Sequence, residues 1–269
     1  MTYDATYAMN IGRDLPQRVV FSCMAIGKTG LAELGTWPAR PGAIEWAPRN
    51  TKPGSHPSWK EDGHAFRDPS TGRLLPRLLR MFGRSDPERV AAIGFSAGSN
   101  SGVRELLRSE TDREALSMVA SIDGLHAALA NESLHKADDP TSYFLDWKGQ
   151  IAPFAEYALR AARGQCSMVI TGNNLAEPAP GLTRTPFAMR KLFEWVEKQP
   201  GIEGYDAETT RAFADLGPPL PLHIFGAGKL YCFAYSGTRK EDHIAQANII
   251  VPRVLRHVLL PLWTGKAEA

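Results

Sequence analysis

Ser96 stands between two glycines, in Gly94-Phe95-Ser96-Ala97-Gly98. A serine hydroxyl is a poor nucleophile at neutral pH. It needs a base beside it and an acid that orients the base. The G-x-S-x-G spacing is a way of presenting such a hydroxyl. A sharp turn from strand to helix puts the serine backbone under strain and pushes its hydroxyl outward, so the residues two positions away must lack bulk. Asp123 and His243 are the candidates that complete the chemistry, in the chain order serine, acid, base. Such a set would activate Ser96 for attack on an acyl carbon. The peptide N–H of Ala97, at the helix start, would face the negative charge that develops.

These residues need elements that bring them together. Residues 90–93 are a short apolar run with the profile of a buried strand, and Arg104, Glu105, Leu106 and Leu107 beyond the turn are helix formers. Residues 18–25 form an earlier strand of the same type. Residues 117–122 form the next one and end at Asp123; 167–171 follow and end at Gly172-Asn173-Asn174. Residues 222–225 and 229–235 are the last strand signals. A polar loop, 238–242, then reaches His243, and an apolar segment, 244–262, closes the chain. Helices are expected over 73–82, 149–163, 186–198 and near 207–216. Strands without polar alternation, separated by helical stretches, predict an α/β fold: a three-layer sandwich around a mainly parallel sheet. In such a sheet, distant segments converge at the carboxyl ends of the strands, where Ser96, Asp123 and the loop before His243 all fall. No linker-like composition divides the chain, so residues 1–269 read as one domain. The excursions 127–165 and 175–219 are candidates for a cap over the site.

With GFSAG at 94–98, an acid at a later strand end and a histidine after the last strand, the chain resembles the α/β-hydrolase superfamily, in particular serine esterases and lipases. The resemblance implies that Ser96 attacks an acyl carbon, that His243 takes its proton and passes it to the leaving group, and that Asp123 orients the imidazolium. It also implies an oxyanion hole made by the N–H of Ala97 and a peptide N–H after the first strand, at Ala25. Phe95, His126 and Trp147 are the candidates for lining the substrate, a small-molecule or polymer-end ester. Two features depart from the commonest family pattern. The acid usually follows the next strand, where this chain has Asn173 and Asn174, and no HGGG or HG pair follows the first strand. Glu241 and Asp242 are reserve acids, and His126 is a reserve base.

Two other readings stay open. Gly27-Lys28-Thr29 after a strand suggests a phosphate loop with Asp123 as a magnesium-side acid, but Ser22 occupies the place of the first glycine. A hydrolase-like fold can also serve as a non-catalytic binding or assembly component. Composition narrows the rest. A net charge of +2 over 269 residues gives no reason to invoke nucleic acid or an anionic membrane. Cys23, Cys166 and Cys232 form no CxxC pair and lie by apolar runs, which suits buried thiols in a reducing compartment, so a cytoplasmic location is expected. The histidines form no HExxH, and neither a metal nor a cofactor is expected. The N-terminus has no apolar core of signal-peptide length, and no run approaches transmembrane length.

Overall fold

The structure is a computed structural model that describes residues 9–10, 18–24, 42–45, 68–76, 79, 89–127, 147–174, 183–202, 211, 213 and 215–264. In chain order the strands are β1 (Met9–Asn10), β2 (Arg18–Met24), β3 (Gly42–Glu45), β4 (Arg89–Phe95), β5 (Leu116–Ile122), β6 (Ser167–Asn173), β7 (Pro221–Ala227) and β8 (Leu230–Tyr235). They form one eight-stranded sheet in the order β1-β3-β2-β4-β5-β6-β8-β7. The six inner strands are parallel, and β1 and β7 close the two edges in antiparallel fashion.

The helices are α1 (Arg104–Leu107), which continues a π-helical turn at Gly98–Val103, α2 (Glu110–Ala115), α3 (Ala152–Ala162) after a π-helical turn at Trp147–Ile151, and α4 (Thr185–Val196). The C-terminal segment is helical throughout, as α5 (Lys240–Ala245), α6 (Val251–Val254) and α7 (Leu260–Thr264) joined by π-helical turns at Gln246–Ile250 and Leu255–Leu259. Pro153 and Pro186 sit in the first turns of α3 and α4, where a missing N–H costs nothing, and Gly164, with φ 71°, ends α3.

Alternation along the strands separates two cores. Val90 and Ala92 of β4, Val119 of β5, Met168 and Ile170 of β6, and Leu230 and Cys232 of β8 pack with α1, α3 and α4. The residues between them, Ala91, Ile93 and Phe95, Met118 and Ala120, Val169, and Tyr231 and Phe233, pack with the C-terminal helical segment. Because side chains alternate across a strand, a sheet buried on both faces reads as an unbroken apolar run while feeding two separate cores. This is the three-layer sandwich expected. The segment 222–225 belongs to it as an antiparallel edge strand, in a hairpin with β8 through a turn at Gly228, with φ 50°. Most of the helix expected near 207–216 lies outside the described residues.

Candidate active site

The inner strands end in register. Phe95 lies opposite Ile122, Ile122 opposite Thr171, and Asn173 opposite Tyr235. The residues that follow β4 and β5 therefore emerge side by side. Both turn sharply. Ser96 has φ 54° and Asp123 has φ 42°, the left-handed region that only glycine adopts freely.

Ser96 is held there by its backbone. Its N–H donates to Ile122 O at 3.0 Å, and its carbonyl accepts from the N–H groups of Ser99 and Asn100, each at 3.0 Å. The turn packs so closely that a Cβ on Gly94 would lie 2.5 Å from Ser99 Cα and 2.7 Å from its nitrogen. A Cβ on Gly124, beyond Asp123, would collide with Ser96 O and Ser99 Cβ. The buried hydroxyls of Ser99 and Ser121, 2.5 Å apart, join the turn to β5. Gly94→Ala is therefore expected to cost about 3 kcal/mol, because the obstruction is backbone rather than a movable side chain. Urea unfolding measures the loss.

Asp123 donates its N–H to Thr171 O at 2.9 Å. Its carboxylate oxygens diverge. Oδ1 accepts the N–H of Asn173 at 2.9 Å, and Oδ2 accepts from His243 Nδ1 at 2.7 Å. Asp123 is 1% exposed and the His243 side chain 12%, so the pair is nearly dry while the imidazole keeps contact with solvent. A carboxylate can only accept, which puts the imidazole proton on Nδ1 and leaves the Nε2 lone pair free to take a proton. Phe95, next to Ser96, packs against the imidazole with ring centroids 4.6 Å apart and planes tilted by 30°.

An aspartate after β5 and a histidine in the helix after β8 thus pair at the carboxyl edge of a mainly parallel sheet, and a serine after β4 stands at the same edge. The fold is α/β, with helical layers on both faces of the sheet.

The other candidates take different places. Asp242 is engaged with the backbone before α5. Its carboxylate accepts the N–H groups of Thr238 and Arg239 at 3.1 and 3.0 Å, which caps α5, and those hydrogen bonds, the Arg239 N–H first, hold it below the usual carboxylate range. Glu241 is exposed. Phe95 is fully buried and offers a substrate no surface; it backs the imidazole instead. Trp147 is half-buried against the helical core, 5.7 Å from Trp195 between ring centroids. Ala97 heads the helical turn after Ser96. Ala25 and Gly27-Lys28-Thr29 lie outside the described residues. Cys23, Cys166 and Cys232 are free and buried. Among the described residues no cluster of side chains is suited to a metal, and no helix is long and apolar enough to cross a membrane.

His126 is a buried structural residue. Its Nδ1 lies 3.3 Å from both Thr183 O and Thr185 Oγ1, and the neighbouring Ala127 exchanges hydrogen bonds with Thr183. These contacts clip the loop after Asp123 to the start of α4. Burial holds His126 below its ordinary value of 6.5, against the opposing pull of the Asp123 carboxylate and with some help from His243. In the unfolded chain the imidazole takes its proton near 6.5, whereas in the folded chain it resists until lower pH. Unfolding then binds the extra proton, so stability is full above that value and falls as the pH drops below it, by at most about 1.4 kcal/mol per pH unit. His126→Gln is expected to flatten this slope in urea unfolding measured between about pH 7.5 and about pH 5.5.

The sequence assigns no role to Thr171 or Gln246 and marks Asn173 only as standing where the acid usually does; all three are buried around the Asp123–His243 pair. The available signal was a polar residue, Gln246, inside an apolar helical run, three positions after His243.

No protein-family model and no curated protein matches the chain. Solved structures similar to it include a poly(3-hydroxybutyrate) depolymerase from Bordetella parapertussis (14% identity, covering 98% of this chain and 86% of that chain, TM-score 0.43). A lipase-esterase related protein from Clostridium acetobutylicum is 10% identical, over 94% of this chain and 99% of that one, with a TM-score of 0.42. A thermostable esterase from Pseudomonas putida is 12% identical, over 93% and 78%, also with a TM-score of 0.42. At these values the likenesses add nothing to what the strand order and the turns show.

Proposed function

We propose that the protein is a serine-dependent acyl hydrolase that cleaves a carboxylic ester through an acyl-enzyme. The observation that carries this reading is the nearly dry Asp123–His243 pair, 2.7 Å apart, at the sheet edge where Ser96 is held at φ 54°.

In the proposed reaction, Nε2 of His243 takes the proton from Ser96 Oγ as the oxygen bonds to the ester carbonyl carbon. Asp123, holding Nδ1–H, stabilises the imidazolium. The carbonyl oxygen becomes an oxyanion, which accepts from the N–H of Ala97 and from a second peptide N–H after β2, proposed at Ala25; each such donor typically lowers the barrier by about 3 kcal/mol. When the carbonyl reforms, the C–O bond to the alcohol breaks and the alcohol leaves with the proton from His243. Water then attacks the acyl-serine with His243 as base. The free acid and the serine hydroxyl are regenerated, and no cofactor is consumed.

A fluorophosphonate probe, with mass spectrometry to locate the adduct, tests the reading directly. The expected result is one adduct on Ser96, together with hydrolysis in a series of p-nitrophenyl esters of increasing acyl length. A folded protein that neither labels nor hydrolyses any member of the series would overturn the reading and favour a binding or assembly role. The ester series also defines the acyl preference.

A further inference from the structure

Asn173 occupies the strand end next to the one that carries Asp123, and its hydrogen bonds run to Asp123 and to the helical segment that bears His243. Its backbone N–H donates to Asp123 Oδ1 at 2.9 Å. Its side-chain Nδ2 donates to the carbonyl of Asp242, the residue before His243, at 2.8 Å. Its Oδ1 accepts from Gln246 Nε2 at 3.4 Å, one turn after His243. Gln246 Oε1 accepts from Thr171 Oγ1 at 2.7 Å, and Thr171 in turn accepts the N–H of Asp123 through its own carbonyl, at 2.9 Å. The ring thus leaves Asp123 and returns to it. Thr171, Asn173 and Gln246 are at most 3% exposed.

The direction of these bonds is fixed by one group. The Asp242 carbonyl can only accept, so the Asn173 amide must present Nδ2 to it and Oδ1 to Gln246. Gln246 must then present Nε2 to Asn173 and Oε1 to the threonine hydroxyl. An aspartate at 173 could not donate to Asp242 O and would face a carbonyl with a negative charge. Gly237 leaves the space this requires, since a Cβ there would lie 2.7 Å from Asn173 Oδ1 and 2.5 Å from Asp242 Cβ.

We infer that Asn173, supported by Gln246, is a positioning residue for the proposed reaction: it clamps the helix that bears His243 onto the strand end that holds Asp123 and so fixes the imidazole for proton transfer. This rests on the hydrolase reading. It assigns to position 173 a neutral donor–acceptor role in place of a carboxylate.

The test compares wild type, Asn173→Ala, Gln246→Met and the double variant Asp123→Asn/Asn173→Asp, by p-nitrophenyl ester kinetics and fluorophosphonate labelling. Asn173→Ala is expected to lower kcat and the labelling rate about 100-fold with KM unchanged, because a small displacement of the base slows chemistry without touching substrate binding. Gln246→Met is expected to lower kcat about 10-fold with KM unchanged, and it carries the test if Asn173→Ala does not fold. The double variant is expected to stay inactive, because the side chain at 173 points to Asp242 and Gln246. Wild-type kcat in Asn173→Ala and Gln246→Met, a loss confined to KM, or recovered turnover in the double variant would each overturn the positioning role while the hydrolase reading stands. A wild-type protein that neither labels nor turns over would overturn both.

Discussion

Ser96→Ala is expected to abolish fluorophosphonate labelling and to reduce ester turnover by at least about 10⁴-fold, since a serine that forms the covalent intermediate has no substitute in its own site. Folding should survive. The bonds that hold the turn, from Ser96 N–H to Ile122 O and from the amides of Ser99 and Asn100 to Ser96 O, all belong to the backbone and persist in alanine. The strained φ of 54° persists too, so thermal unfolding should occur close to the wild-type temperature. The two measurements separate chemistry from structure. Lost labelling with an unchanged melting curve places the nucleophile at Ser96. Turnover retained in a clean preparation would remove Ser96 from the mechanism.

Asp123→Asn is expected to lower kcat by about 10⁴-fold near neutral pH while leaving KM and the fold in place. Asparagine has the shape of aspartate and can still accept the Asn173 N–H through its carbonyl oxygen. Its amide, however, donates to His243 Nδ1 where the carboxylate accepted. The imidazole is then driven to carry its proton on Nε2, the nitrogen that must be bare to receive the serine proton. Asp242→Asn is the control. Its carboxylate is spent on the Thr238 and Arg239 amides, so turnover should stay near wild type. The reverse pattern, with Asp242→Asn inactive and Asp123→Asn active, would transfer the acid role to α5.

Much of this arrangement was legible because a parallel sheet imposes its own grammar. The runs that became β4, β5 and β6 are apolar on both faces, and strand ends of such runs mark where distant residues can meet. That was enough to point to the places of Ser96, Asp123 and His243. What the chain did not disclose lies in pairings across long separations. Asn173 and Gln246 are 73 positions apart, and nothing at either residue announces the other. The antiparallel course of β7, by contrast, follows from its connection, because the two residues between β7 and β8, 228–229, are too few for a crossover. Chemical type alone offers Phe95, His126 and Trp147 as substrate contacts. How layers close over a side chain is not written in its type: Phe95 is buried against the imidazole and His126 in the loop clip, while Trp147 stays half-exposed beside Trp195. The π-helical turns of the C-terminal segment leave no mark in its apolar periodicity.

Ser96 and Asp123, the two described non-glycine residues at positive φ, sit at the ends of adjacent strands. A left-handed backbone costs a residue with a Cβ about 1–2 kcal/mol. Glycine at either place would relieve that cost and erase the proposed chemistry. Selection for a sturdier chain and selection for turnover therefore pull in opposite directions at these two positions. A lineage freed from the need for activity would gain stability by drifting to glycine there, so a retained Ser96 and Asp123 in other copies of this protein would record continued use.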